Sequence, residues 1–538
     1  MGRVADFPDV LRLRGPDGRV TGLFSDCGAW FGVTWGERAH LELRTFWNER
    51  AHALQLTPAP VRARRVWADR LELEHADGAQ ARVGFASADA LVIEHVHAQP
   101  PQPATELPFS VARVGERCWR VVVVPEGGAV ADADCFERNR RRWDLWFERA
   151  FAPHAARAQP ADTALARAVA TLFWNWRAPR RELAHAGVIP SPFAYLGYWG
   201  WDSWKHAHAL SRLEPALAAE QLRAMFSRQR RDGMVPDTVM PRASLDNWSN
   251  SKPPMAGWAL EAVWRHGGDR GLVADLYPRN AAFLAWWRQQ RGSGGEPFLR
   301  CGGVDRETAA WDSGWDDSVR FAGAELESGV GPWRLFDLWQ PDLNAYLLAE
   351  YRAMARLAPS AGADPAPWEE QARQLQVLLR ERLWDESVGA FVDRRARDGA
   401  STGVLSAAAW LPAWAGAASA RQQARLAQTL SDPRHFATPL PFPALAASAS
   451  GFDPDGYWNG AVWLDHAALA LHVLGPAGAE PARRLWDAAA DGGALYECYS
   501  PLSGRPCAGR REAVPQFSWS AAALLEMAAG GPEPAPTG

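Results

Sequence analysis

The stretch Trp311–Phe321, reading WDSGWDDSVRF, sets three carboxylates (Asp312, Asp316 and Asp317), two tryptophans, a glycine and an arginine within eleven residues. Carboxylates among flat apolar rings are the materials of a site that holds and cleaves a sugar. Indole faces cover the C–H faces of a pyranose, carboxylates take its hydroxyls, and one acid moves the proton. The acids and aromatics share no face at helical spacing, and adjacent Asp316 and Asp317 would diverge on a strand, so the stretch reads as a loop. Asp316, beside Trp315, is the first candidate for general acid, because an aromatic wall desolvates a carboxyl and keeps it protonated near neutrality. Asp317 is the rival for that role, and Asp312 or Asp317 could instead hold sugar hydroxyls. Glu497, in YECYSP, is the candidate base; an ordinary exposed glutamate is the alternative.

Other segments repeat the mixture of acids, amides and rings. GYWGWDSWKHAHA (197–209) offers Tyr198, Trp199, Trp201, Asp202 and Lys205, although Asp202 opens a helical pattern and could equally be a cap. LDNWSNSKPPMAGW (245–258) offers Asn247, Trp248, Asn250 and Lys252. Gln340 lies in DLWQPDLNAY, Trp458, Asn459 and Trp463 in YWNGAVW, and Trp519 in FSWS. Of 58 basic residues only Lys205 and Lys252 are lysines, so these two positions are candidates for needing a compact ammonium rather than a planar guanidinium. No HExxH spacing occurs, and DPDG at 453–456 lacks the further acids of a calcium loop, so no metal or other cofactor is expected.

These residues need a scaffold, and 538 residues suffice for two domains. Lys+Arg 58 against Asp+Glu 62 gives a net charge of −4 without a basic stripe, which argues against a nucleic-acid partner. No segment approaches eighteen uninterrupted apolar residues and the start has no apolar leader pattern, so no membrane association and a cytoplasmic location are expected. Cys27, Cys118, Cys135, Cys301, Cys498 and Cys507 show no CxxC spacing and read as reduced. Residues 1–135 alternate as short strands with PDG, ADG and PEGG turns, which predicts an antiparallel β-sandwich. The run DCFERNRRRWDLWFERAF predicts a linker helix within 136–160, whose arginines form a solvated or interdomain face.

From 161 to 530 the texture is Ala/Leu/Trp at helical spacing. Twelve helices are expected near 163–178, 201–213, 215–229, 252–268, 270–291, 342–358, 365–385, 403–416, 419–432, 460–475, 481–492 and 517–530. Six hairpins of this kind suggest an all-α (α/α)6 toroid, followed by a disordered tail at 531–538. Every acid–aromatic segment precedes an even-numbered helix. If the even helices form the inner ring, all these loops open on one end, where helix N-termini would add donors.

From about Pro190 onward, the segments GYWGWDSWKHA, DGMVPD, NSKPP, SGWDDSVRF, DLNAYLLAEY, YWNGAVWLDH, ECYSPLSG and FSWSAAALLEM resemble glycoside hydrolase family 63, in the clan that also holds the trehalases. The resemblance implies a β-sandwich, an (α/α)6 barrel and anomer-inverting hydrolysis of an α-glucoside or α-mannoside, as in bacterial α-glucosidases and mannosylglycerate or glucosylglycerate hydrolases. It assigns Asp316 as general acid, Glu497 as general base, and WDSWK and NSKPP to the glycone subsite. Two departures stand out: Asp312 replaces a frequent glutamate, and Asn459 stands where many relatives carry arginine. The expected partner is a small carbohydrate, with the two carboxyls about 6.5–9.5 Å apart to admit water. The competing readings are a sugar epimerase or polysaccharide lyase on the same toroid, disfavoured by the lack of histidines in the acid loops, and a non-catalytic sugar-binding module.

Overall fold

Alternating apolar and polar residues build the N-terminal strands. In the computed structural model, residues 2–36, 40–47, 49–127, 135–154, 161–292 and 297–530 are described. Strands β1 (Phe31–Trp35), β2 (Leu41–Thr45) and β3 (Ala51–Leu54) form one antiparallel sheet. Strands β4 (Val61–Val66), β5 (Leu71–His75), β6 (Gln80–Ser87), β7 (Ala90–Val96), β8 (Phe109–Arg113) and β9 (Cys118–Val123) form a second, in the order β4-β5-β6-β7-β9-β8. Strand β2 buries every second residue, as a half-covered strand must, whereas β1 is buried throughout and the edge strand β8 is exposed throughout. Val33, Leu43, Phe85, Ile93 and Val121 are all shut from solvent in the core between them.

Helix α1 (Phe136–Phe151) follows, and its arginines divide as a solvated and interdomain face should. Arg140 and Arg141 pair with Glu137 in solvent, while Arg142 reaches back to the buried Asp26 at 2.6 Å, where the Trp143 indole also donates at 2.9 Å. Trp146 stacks on Phe173 at 3.5 Å, which ties α1 to the first helix of the larger region.

That region holds α2 (Ala161–Trp174), α3 (Gly200–Leu213), α4 (Pro215–Phe226), α5 (Ala256–Gly267), α6 (Arg270–Arg291), α7 (Arg306–Ser313), α8 (Pro341–Leu357), α9 (Ala366–Arg382), α10 (Leu411–Trp414), α11 (Ala420–Leu430), α12 (Leu464–Leu474), α13 (Ala479–Asp491) and α14 (Ser518–Ala528). All twelve expected helices are present, and α7 is additional. Helix α5 starts only after Pro253-Pro254, and the expected 403–416 helix shrinks to a 3-10 turn, Ala407–Trp410, followed by one turn of α10. Six helices touch in a closed series: α3 meets α5, α5 meets α8, α8 meets α10, α10 meets α12, α12 meets α14, and α14 returns to α3. Their middles are nearly all buried, whereas α9, α11 and α13 bury three residues each, the signature of an outer layer.

Short bridges lace the loops that precede the buried helices. Tyr198–Trp199 pairs with Thr238–Val239, Pro443 and Tyr499 both bridge Val462, and Tyr496 bridges Pro515. The first amides of α3 and α14 are taken by the Asp237 and Pro190 carbonyls, at 2.8 and 2.9 Å. These two helix starts therefore do not offer their leading donors to a ligand, contrary to the expectation from sequence. The expected tail, 531–538, lies outside the described residues.

Candidate active site

The stretch Trp311–Phe321 begins as helix, not loop. Asp305 and Thr308 make a reciprocal capping box that starts α7, and the helix runs through Trp311 and Asp312 to Ser313. An amphipathic pattern is not needed there, because protein covers most of its second half. Gly314 stops it at φ +82°, and a Cβ there would land inside the Trp201 ring. Beyond that turn come Trp315, fully buried, then Asp316 and Asp317, then a 3-10 turn at Val319–Phe321.

Asp316 faces a cavity together with Glu497, Asp202, Lys252, Trp199, Trp201, Trp458, Trp463 and Trp519. Burial raises the Asp316 carboxyl above the ordinary range, Lys252 and Arg511 pull it back, and Asp317 pushes it up again. The Arg511 guanidinium lies 3.5 Å from its Oδ2.

Glu497 comes from the loop before α14. It is 4% exposed, and its backbone amide is held by the Val514 carbonyl at 2.9 Å. Burial pushes its carboxyl up to about 7, against the hydrogen bonds that favour the ionised form. Tyr457 donates to Oε1 at 2.7 Å and Tyr195 at 3.2 Å, while the Val514 amide reaches Oε2 at 3.4 Å.

The walls are rings. Trp458 and Trp463 stack face to face at 4.0 Å, Trp201 and Trp519 meet at 5.5 Å, and Trp199 stands edge-on to Tyr195 at 5.1 Å. Asp202 is no helix cap: its side chain lines the cavity, burial raises it to about 7, and its Oδ1 has no hydrogen-bond partner among the described residues. Lys252 lies 3.4 Å from Asp237, bonds the Trp311 carbonyl, and is raised by Asp237 despite its burial.

Several candidates sit elsewhere. Asp312 is fully buried away from the cavity, where it pairs with Arg291 at 3.0 Å and accepts the Ser251 and Gly302 amides at 2.8 and 3.0 Å. Trp315 packs behind Trp458 at 4.8 Å, under the Arg320 guanidinium. Asp317 accepts the Trp458 amide at 3.2 Å, and Asn459 clasps the same loop through the Asp317 carbonyl and the Val319 amide. Lys205 lies beneath the floor, 4.0 Å over Trp201, 3.7 Å over Trp519, and 2.8 Å from Asp465. Tyr198 is fully buried against the Arg177 carbonyl, and Gln340 accepts the Cys301 amide at 2.8 Å. Asn247 holds Asp237 and Asn250, Asn250 bonds the Ser251 carbonyl, and Trp248 lies under Arg230 at 3.8 Å. None of these ten residues lines the cavity.

The residues that sequence reading passed over are Tyr195, Tyr457, Phe517, Asp237 and Arg511. Tyr457, Phe517 and Asp237 lay inside segments already singled out, YWNGAVW, FSWS and DGMVPD, and each could have been found there. Among the described residues, no group of three or more His, Cys, Asp or Glu is placed to hold a metal ion.

The chain resembles known proteins in sequence and in fold. The sequence model of the mannosylglycerate hydrolase MGH1-like glycoside hydrolase domain fits residues 195–520. A mannosylglycerate hydrolase from Rubrobacter radiotolerans is 24% identical over 68% of this chain and 96% of its own. The crystal structure of the GH63 mannosylglycerate hydrolase from Thermus thermophilus with Tris shares the fold at a TM-score of 0.57 and 21% identity, over 67% of this chain and 99% of its own. A sialidase structure, 11% identical, shares the fold over 94% of this chain and 55% of its own at a TM-score of 0.52. With most of its helical region inside the family's bounds, this chain belongs to the MGH1-like branch of glycoside hydrolase family 63 and is a glycosidase.

Proposed function

We propose that the chain is an inverting α-glycosidase that cleaves a small α-glucoside or α-mannoside, a glycosylglycerate foremost, with Asp316 as general acid and Glu497 as general base. Asp316 gives its proton to the glycosidic oxygen as the C1–O bond breaks. Glu497 takes a proton from the water that attacks C1 on the opposite face of the ring. The observation that carries this reading is that two carboxyls from distant loops, both raised by burial, line one tryptophan-walled cavity.

Asp202 and Lys252 take the role of holding the sugar hydroxyls, and Trp458, Trp463 and Trp519 that of covering its apolar face. The closed series of six buried helices supports an (α/α)6 toroid as the catalytic domain, residues 161–530, behind a β-sandwich at 1–135 and a linker at 136–160. The names borne by the relatives, mannosylglycerate hydrolases, support glycerate as leaving group and favour mannose over glucose as glycone.

Proton NMR of the anomeric region during digestion of mannosylglycerate, glucosylglycerate, kojibiose, nigerose and trehalose tests the reading. The expected result is β-anomer appearing first from at least one of these α-glycosides, and no release with Asp316→Asn. Initial α-anomer would refute the inverting assignment.

A further inference from the structure

We propose that Arg511 selects an anionic leaving group: a carboxylate on the aglycone draws its guanidinium off Asp316, and the transfer arms Asp316 as the acid. The inference rests on the function proposed above and adds to it a residue and a reason for preferring glycerate.

Arg511 sits on a hairpin closed by the Ala508–Glu512 bridge and by the Ala513 amide on the Cys507 carbonyl at 2.9 Å. Glu512 ties the hairpin to Arg19 of the N-terminal region at 2.9 Å. The Arg511 side chain is 48% exposed and spans the Tyr457 ring at 5.1 Å. Among the described residues its guanidinium has one hydrogen bond, to Asp316, at the long distance of 3.5 Å. A guanidinium has five donors in a planar fork that matches a carboxylate. Arg511 therefore lies half-exposed against two residues that line the cavity, Asp316 and Tyr457, with most of its donors unspent. The cation that lines the cavity, Lys252, has two of its three donors engaged by Asp237 and the Trp311 carbonyl, which leaves one for a sugar hydroxyl.

The charges around Asp316 make the exchange consequential. It feels Lys252 and Asp237, Asp317 beside it, Glu497 with its two tyrosines on the same cavity, and the half-exposed Arg511. While Arg511 is in place, it favours the ionised form of Asp316, and Glu497, raised to about 7, competes for the proton. The catalytic roles require the opposite arrangement, a protonated Asp316 and an ionised Glu497. An aglycone carboxylate that takes over Arg511 removes a cation from Asp316 and adds an anion near it. Both changes favour the proton on Asp316, where the leaving oxygen needs it. A shift of about one pH unit changes the protonated fraction about tenfold, so an anionic leaving group is favoured in kcat as well as in KM.

The test compares α-mannosyl-D-glycerate with neutral α-mannosylglycerol, and the glucosyl pair likewise, in the wild type, Arg511→Gln and Arg511→Lys. The wild type is expected to favour the glycerate glycoside in kcat/KM by at least about tenfold, partly in kcat. Arg511→Gln should bring the ratio of the two substrates near unity, and Arg511→Lys should recover part of it. On the neutral glycoside, the basic limb of the pH profile, which reports protonated Asp316, should move to higher pH in Arg511→Gln. A charge preference that survives Arg511→Gln, or an equal loss on both substrates without a shift of that limb, overturns the inference. Calorimetric titration with D-glycerate gives a readout without turnover: binding by the wild type that Arg511→Gln abolishes supports the role, and equal binding by both refutes it. Absence of turnover of every glycoside by the wild type would count against the proposed function, while the titration would still decide the role of Arg511.

Discussion

Replacing Tyr457 by phenylalanine removes one hydroxyl and leaves the wall of the cavity in place. That hydroxyl is the shortest hydrogen bond to Glu497, 2.7 Å to Oε1, and Tyr195 at 3.2 Å is its only companion on that oxygen among the described side chains. A hydrogen bond to a charged group contributes about 1.5–3 kcal/mol, and one pH unit corresponds to about 1.36 kcal/mol. Loss of the bond should therefore raise the Glu497 carboxyl by about one to two units, from about 7. Glu497 must be ionised to act as a base, so activity is lost as pH falls through its pKa. The acid limb of kcat/KM should move from about 7 in the wild type to about 8–9 in Tyr457→Phe. At pH 6 the variant should run about ten- to a hundredfold below wild type, and the two should converge at high pH. The assay is the pH dependence of kcat/KM on whichever α-glycoside is cleaved best. A uniform loss across the whole range with an unmoved acid limb would refute the reasoning, since that outcome belongs to misplaced substrate rather than to a retuned base.

Three further outcomes follow from the same geometry. Glu497 sits above its unfolded value of 4.5, so its burial is without penalty at low pH and destabilises the fold as pH rises towards 7. Glu497→Gln should lose activity yet gain up to about 3 kcal/mol at pH 8 and nothing near pH 4, read from denaturant midpoints; an equal effect at both pH values would exclude the assignment. Asp312→Ala strands the buried Arg291 guanidinium and should lower stability by about 3–5 kcal/mol; a change under about 1 kcal/mol would show that the pair is dispensable. Lys205→Arg keeps the charge but forces a planar fork between Trp201 and Trp519, and should lose about 1–3 kcal/mol in thermal stability, whereas wild-type stability would mean that the slot tolerates the larger head.

How far the chain could be read before folding depended on the kind of signal. Helical periodicity located the α region because twelve amphipathic or buried runs repeat one period, whereas α7 escaped because its start is written in capping chemistry at Asp305 and Thr308. Asp316 and Glu497 were legible as unusual acids among rings. Their neighbours Asp312 and Asp317 looked the same in one dimension but turn away, because Gly314 reverses the chain between Asp312 and Asp316 and the Trp458 amide captures Asp317. The scarcity of lysine singled out two positions as candidates for a compact ammonium, and each lies beside a buried aspartate, but it could not tell the floor of the cavity from the layer beneath it. Lys252 lines the cavity; Lys205 supports it from below. Arg511 had no mark at all, since one arginine among so many, in a run without aromatics, carries no local signal.

The two candidate carboxyls ride on different loops, yet one 3-10 turn, Tyr457–Asn459, grips both. Tyr457 holds Glu497 through its phenol, while the Trp458 amide holds the Asp317 carboxylate and the Asn459 side chain takes the Asp317 carbonyl and the Val319 amide, next to Asp316. The turn works as a caliper, with its jaws closed at once on the loop of Asp316 and the loop of Glu497. Tyr457 is itself fixed at φ +49°, a backbone setting that most residues avoid. On the roles proposed above, this turn fixes the gap between acid and base and with it the stereochemical outcome, whereas the aglycone is met on another element, the Arg511 hairpin. An engineer who wished to alter that stereochemistry would have to begin with these three residues.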